Sequence, residues 1–168
     1  MAVSGVGNSS SFKVATPSER TITLTRLFDA PRHLVWEAMS QPEHIRAWWG
    51  RLGVGYSVPV CEVDLRVGGR WRFVNRTPGH GDVAFSGEYR EIQAPERIVF
   101  TEIFEPFFDS PSVVTSLLTE EDGKTRLFVT VEYPSPEVRN QVINSGMAGG
   151  AAVSYDRLED VARRLAGR

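Results

Sequence analysis

An α+β fold is what this sequence predicts: a curved, seven-stranded antiparallel sheet wrapped around one long C-terminal helix, with two short helices between the first and second strands. Three observations carry that expectation. Met147, Ala151, Ser154, Leu158, Val161 and Leu165 are spaced four, three, four, three and four apart, which is one face of a helix of about twenty residues. Stretches of strand-forming residues between Val58 and Tyr133 alternate in polarity and are separated by glycine turns. The connections between them are too short for parallel crossovers, so the sheet is antiparallel.

Residues 1–18 are rich in Ser, Gly and other small residues and read as a flexible arm, leaving 19–168 as one domain. Thr21-Ile22-Thr23-Leu24-Thr25 alternates as a strand with one buried face. Pro31 suits a first helical turn, where its missing N–H is no loss, and Leu34, Val35, Ala38 and Met39 then share a face. Ser40-Gln41-Pro42-Glu43 reads as a capping box opening a second helix. Ile45, Trp48 and Trp49 give that helix its apolar face, and Gly50 stops it.

Six strands follow, at about Val58–Val67, Arg70–Asn75, Val83–Ile92, Arg97–Phe104, Val113–Thr119 and Thr125–Tyr133. Gly68-Gly69 and Asp122-Gly123 are hairpin signals. Thr77-Pro78-Gly79-His80-Gly81 reads as a longer, mobile loop. Ser135-Pro136 caps and opens the last helical region. A break is expected near Ser145-Gly146, because each glycine costs a helix interior roughly 1 kcal/mol against alanine.

Composition excludes several classes of function. One domain is the natural reading of 168 residues. A net charge of −2 gives no basic face for nucleic acid. No apolar run reaches the length of a membrane span, and no secretory signal is visible. Cys61 stands alone, so there is no internal disulfide framework, and a cytoplasmic location fits. The three histidines lie on different elements with no metal-ligand spacing, so no metal is expected. No glycine-rich turn leads from a strand into a helix, so no nucleotide and no other cofactor is expected.

Phe28-Asp29-Ala30-Pro31-Arg32-His33-Leu34-Val35-Trp36-Glu37-Ala38, then Gln41-Pro42-Glu43-His44-Ile45-Arg46-Ala47-Trp48-Trp49-Gly50, then Gly68-Gly69-Arg70-Trp71-Arg72-Phe73 follow a recognisable order. It resembles the activator-of-Hsp90-ATPase-like branch of the SRPBCC superfamily, over about Thr21 to Leu165. That superfamily includes the START lipid-transfer domains, the birch-pollen allergens and the polyketide cyclases. The resemblance implies the helix-grip arrangement, with room for a pocket between sheet and helix. It is specific for fold and weak for activity.

Alternation puts Trp71, Phe73 and Asn75 on one face, with Arg70, Arg72 and Arg76 on the other. Val83, Phe85, Gly87, Tyr89 and Glu91 share a second face, Ile98, Phe100, Glu102 and Phe104 a third, and Leu127, Val129, Val131 and Tyr133 a fourth. These residues either fill the core or line a pocket for an apolar or amphipathic molecule. The small residues from Gly146 to Ala152 either leave volume for a ligand or allow close packing. Trp36, Trp48 and Trp49 read as packing for the helical corner, with one of the last two free to line an entrance.

The candidate ligand-binding set is Trp71, Phe73, Phe85, Tyr89, Phe100, Glu102, Met147, Ala151 and Ser154, with no catalytic and no metal residues. Arg26 and Glu102 fall in phase with apolar neighbours. Either they form a polar pair inside the pocket, or both reach solvent at the edge or mouth of the sheet; the cost of burying charge favours the second.

Binding of a small hydrophobic molecule is therefore the leading expectation, with no nucleic acid and no membrane span, and a homodimer left open. A polyketide cyclase or aromatase-like enzyme is the alternative; its only nameable polar groups are Glu102, Tyr89, Ser154 and Tyr155. A stress-related, chaperone-associated module is the third reading. It is weakened because only a short polar arm precedes Thr21, where eukaryotic co-chaperones carry a separate chaperone-binding domain.

Overall fold

In the computed structural model, which describes residues 11–105 and 110–167, the elements run β1 Lys13–Ser18, β2 Thr21–Phe28, α1 Arg32–Ser40, α2 Pro42–Trp48, β3 Ser57–Val63 and β4 Arg70–Thr77. They continue β5 Gly81–Gln93, β6 Arg97–Phe104, β7 Ser112–Glu121, β8 Lys124–Glu132, α3 Pro136–Asn144 and α4 Met147–Ala166. The strands form one curved, open antiparallel sheet in the order β1-β2-β8-β7-β6-β5-β4-β3. Among the described residues no helix is long and apolar enough to cross a membrane.

The sheet has eight strands, not seven. The additional one, β1, comes from residues read as flexible arm, and it pairs with β2 from Lys13↔Thr25 to Ser18↔Thr21. Its side chains are mostly exposed, so it leaves almost no hydrophobic period in the sequence. Backbone pairing with β2, and Phe12 set edge-on to Tyr155 at 5.9 Å, are what hold it. Residues 1–10 of the arm lie outside the described residues.

Other expectations are refined by local chemistry. Ser40 does not cap α2: Gln41 takes that position with no side-chain cap, while the Ser40 hydroxyl donates back to the Trp36 carbonyl at 2.7 Å. The 77–81 segment is a tight hairpin rather than a long loop, with Thr77 paired to Gly81 and both Gly79 and Gly81 at positive φ. Asp122 and Gly123, both at positive φ, close the β7–β8 hairpin as expected of a type I′ turn. The Ser135 hydroxyl accepts from the Val138 N–H at 3.1 Å and starts α3. Gly146, at φ +85°, breaks the chain between α3 and α4.

Two irregularities shape the concave face. The pairing of β5 with β6 slips between Tyr89 and Glu91, so that Glu91 turns outward and Ile92 joins the apolar cluster. The strict alternation expected through Glu91 therefore fails at that bulge. At Gly87 a Cβ would run into the Thr101 carbonyl, and the Trp71 indole N–H donates to that same oxygen at 3.2 Å. The neighbouring Glu88 N–H bonds the Thr101 hydroxyl at 2.9 Å. This close approach of the backbones is possible only where a residue has no side chain.

α4 is divided along its length. Its buried residues are Ser154, Leu158, Glu159, Val161, Ala162 and Leu165, all in the C-terminal part. Those apolar side chains join Ile22, Phe28, Val35, Leu118 and Leu127 in the main core. Full burial of Leu158 alone contributes roughly 2 kcal/mol. The segment from Met147 to Val153 buries none of its residues fully.

Arg26 fixes this geometry. It is buried, neither at an edge nor paired with Glu102. Its guanidinium reaches Asp156 at 3.1 Å and Glu159 at 3.0 Å, both on α4, and lies over the Phe28 ring at 4.9 Å. Glu159 also accepts from the Asp29 N–H at 3.3 Å. Removing one partner of such a pair strands a buried charge.

Three substitutions test these assignments by chemical denaturation. Gly87→Ala is expected to be strongly destabilising, because the obstacle is backbone rather than a movable side chain. Gly149→Ala is expected to stabilise by about 0.5–1 kcal/mol, because an added Cβ there meets open space in a helix interior. Arg26→Met is expected to cost about 3–5 kcal/mol, and adding Glu159→Leu to it should recover much of that loss. A double variant no more stable than Arg26→Met would show that the charge pair is not what anchors α4.

Candidate functional site

The concave face and the N-terminal half of α4 border a half-open cavity of about 410 Å³. The sheet supplies Trp71, Phe73 and Asn75 from β4, Phe85 and Tyr89 from β5, and Ile98, Phe100 and Glu102 from β6. Val114 and Ser116 of β7, Val129 and Val131 of β8, and Tyr133 beyond it complete the floor. α4 covers it with Met147, Gly150, Ala151, Ser154 and Tyr155. The helical corner closes one side with Trp36, Met39, Ile45, Trp48 and Trp49.

All nine candidate residues named from the sequence lie on this wall: Trp71, Phe73, Phe85, Tyr89, Phe100, Glu102, Met147, Ala151 and Ser154. The tryptophans of the corner are on it too, all three rather than one. Sequence reasoning did not place Leu24, Leu52, Leu65 or Ser116 there. Alternation along β2 and β7 carried a signal for Leu24 and Ser116. Leu52 sits in the loop after α2, where no periodicity applies, and its methyl groups approach Gly150.

Aromatic contacts set the shape of the wall. Trp49 stands edge-on to Phe73 and to Phe85, each with ring centroids 5.2 Å apart. Trp71 is edge-on to Phe100 at 5.4 Å. Such pairs contribute about 0.5–1.5 kcal/mol each beyond their buried area, and they hold the rings in fixed orientations.

Several polar groups in the wall are already engaged. Trp48 donates its indole N–H to the Ala38 carbonyl at 2.9 Å. Gly50, at φ +63°, is gripped from both sides: its N–H donates to the Ser154 hydroxyl at 3.2 Å, and its carbonyl accepts from the Asn75 amide at 3.0 Å. Ser154 thus ties the end of the helical corner to α4.

Glu102 is different. Among the described residues no hydrogen bond or ion pair holds its carboxylate, and it is the one carboxylate on a wall that carries no Lys, Arg or His. Burial pushes its pKa up to about 7. Tyr133 and Tyr155 lie near it. Burial raises the pKa of both, and the Glu102 charge raises each further, with Arg26 opposing at Tyr155. The cyclase-type polar candidates Glu102, Tyr89, Ser154 and Tyr155 all reach the cavity, although Ser154 is occupied by Gly50.

The other titratable groups sit elsewhere. Burial pushes the Cys61 thiol up to about 11, which leaves it a poor nucleophile. His33 and His80 are exposed, and His44 bonds Glu37 at 3.3 Å. Among the described residues no group of three His, Cys, Asp or Glu side chains is placed to hold a metal ion.

The family model for "Activator of Hsp90 ATPase homolog 1-like protein" matches residues 29–163. The chain belongs to this family. Its members are SRPBCC-type ligand-binding domains. A protein of Rhodobacter sphaeroides with a crystal structure is 25% identical, with 92% of this chain and 99% of that chain covered and a TM-score of 0.82. A crystal structure from Mycobacterium smegmatis is 25% identical, covering 91% and 98% at a TM-score of 0.77. One from Chromobacterium violaceum is 28% identical, covering 85% and 97% at a TM-score of 0.67. Comparison with curated proteins gives no match.

The raised pKa of Glu102 has a definite sign for stability. A carboxyl whose folded pKa lies above its unfolded value binds more protons when folded. Its contribution is fully present below pH about 4.5 and is lost as pH rises through about 7. Glu102→Gln is therefore expected to match the wild type near pH 4 and to exceed it at pH 8 by up to roughly 3 kcal/mol. Denaturation at the two pH values checks this; an equal difference at both would mean that Glu102 does not titrate in this window.

Proposed function

We propose that this domain binds a small apolar or amphipathic molecule in the cavity under the N-terminal half of α4. One observation carries the reading. The stretch of α4 over the cavity is built from Met147, Ala148, Gly149, Gly150, Ala151 and Ala152, although glycine weakens a helix. Nothing buries this stretch fully, while the rest of the helix is packed tightly. Small side chains there maintain volume that larger ones would fill. The aromatic floor presents faces suited to apolar surface, and membership of a family of ligand-binding domains agrees.

Ala151→Trp tests the proposal, since its side chain would occupy the cavity. It is expected to abolish most binding of a neutral, environment-sensitive hydrophobic dye while leaving the far-ultraviolet circular dichroism unchanged. Equal dye binding by both proteins would remove the cavity as the binding site.

A second reading, a proton-transferring enzyme of the polyketide-cyclase type, is favoured by one observation: a carboxyl titrating near neutrality is suited to general acid–base work. It requires a ligand whose mass or spectrum changes on incubation with the protein and is unchanged with Glu102→Gln. Binding without any such change would leave the domain a binding module.

A further inference from the structure

We propose that the molecule held in the cavity is a lipophilic amine, whose ammonium group pairs with the Glu102 carboxylate while its apolar body lies against the aromatic floor. The inference rests on the cavity-binding reading above and narrows its ligand to one chemical class.

Among the described residues, no Lys, Arg or His lines the wall to neutralise an anionic ligand. Arg26, the buried cation that acts on Tyr155, is committed to Asp156 and Glu159. A carboxylate or phosphate ligand would meet Glu102 with no counter-charge, and like charges in a low-dielectric site repel strongly. A wholly apolar ligand would leave the Glu102 carboxyl without a partner, which costs the full desolvation of that group.

An ammonium group resolves both difficulties. It brings the missing positive charge and donates up to three hydrogen bonds. Glu102 faces it from β6, while Tyr133 beyond β8 and Tyr155 on α4 offer hydroxyl oxygens as further acceptors. The rings of Trp71, Phe100, Tyr133 and Tyr155 add faces that attract a cation. The same rings receive the apolar body.

The proton balance follows. A neutral Glu102 that takes up an ammonium ligand loses its proton to solvent and becomes the carboxylate of the pair; the amine keeps its own protons. The groups around Glu102 do not compete for that proton, because burial and the Glu102 charge hold Tyr133 and Tyr155 protonated well beyond neutrality. Near pH 7 the free protein is about half protonated at Glu102, so binding releases up to about half a proton.

Octylamine, octanol and octanoate share one apolar body and differ only in the head, and calorimetric titration of each into the wild type and into Glu102→Gln separates the terms. The wild type is expected to bind octylamine about tenfold or more tightly than octanol, and octanoate least of all. In buffers of different ionisation enthalpy, only octylamine binding to the wild type should release a proton. Glu102→Gln should lose the preference for octylamine over octanol and release no proton. Equal affinity for octylamine and octanol, a preference that survives Glu102→Gln, or tightest binding of octanoate overturns the amine assignment while the cavity reading stands. If none of the three binds and the neutral dye also fails to bind, the cavity reading falls and this inference falls with it.

Discussion

The buried contact of Arg26 with Asp156 and Glu159 is the constraint on which the site depends. A helix lying across a sheet is ordinarily drawn down along its whole length by apolar burial. Here α4 is drawn down at one end only. Leu158, Val161, Ala162 and Leu165 sink into the core, and the charge contact pins the helix at the same level. Because the pair is directional, it fixes the rotation of α4 as well as its depth. That rotation aims Met147, Ala151, Ser154 and Tyr155 at the cavity. At the other side Gly50 bridges Asn75 and Ser154, so the helix is also held at the point where the cavity begins. Volume persists between two attachments, and the small residues of Gly149 to Ala152 have nothing to pull them closer.

The sheet supplies the complementary curvature. A flat sheet under a straight helix leaves no enclosed volume. The bulge at Arg90 resets the phase of β5, and Phe73 and Phe85 stand edge-on to Trp49. The Trp71 indole N–H stands where a side chain at Gly87 would be and bonds the Thr101 carbonyl there. One absent side chain thus makes room for an aromatic anchor of the floor.

Most of this architecture was legible in the residues because period and turn chemistry act locally. The α4 stripe, the cap at Ser135, the break at Gly146 and the Asp122-Gly123 turn all appear where short-range rules put them. Six of the candidate site residues were reachable because alternation fixes which side of a strand a residue faces, and Met147, Ala151 and Ser154 because the helical period puts them on one face. What escaped was decided by contacts distant in sequence. β1 is held by pairing to β2 and carries almost no buried apolar residue of its own. The phase slip at Arg90 depends on how β6 lies beside β5. Arg26 and Glu102 shared an in-phase pattern and met different fates, because the partners of Arg26 stand more than a hundred residues away on α4.

Those two fates explain each other. Both residues face inward from the sheet, and two carboxylates of α4, Asp156 and Glu159, meet Arg26. With Arg26 engaged by Asp156 and Glu159, no Lys, Arg or His among the described lining residues pairs with Glu102. The fold keeps a carboxyl in an apolar cavity at a cost that rises with pH, when an amide of the same shape would avoid that cost. A core built for stability alone has no use for such a group. A cavity that must select one kind of ligand does, since an uncompensated charge rewards only the molecule that brings its opposite. On the proposed reading, the instability of Glu102 when ionised and its capacity to discriminate are the same property.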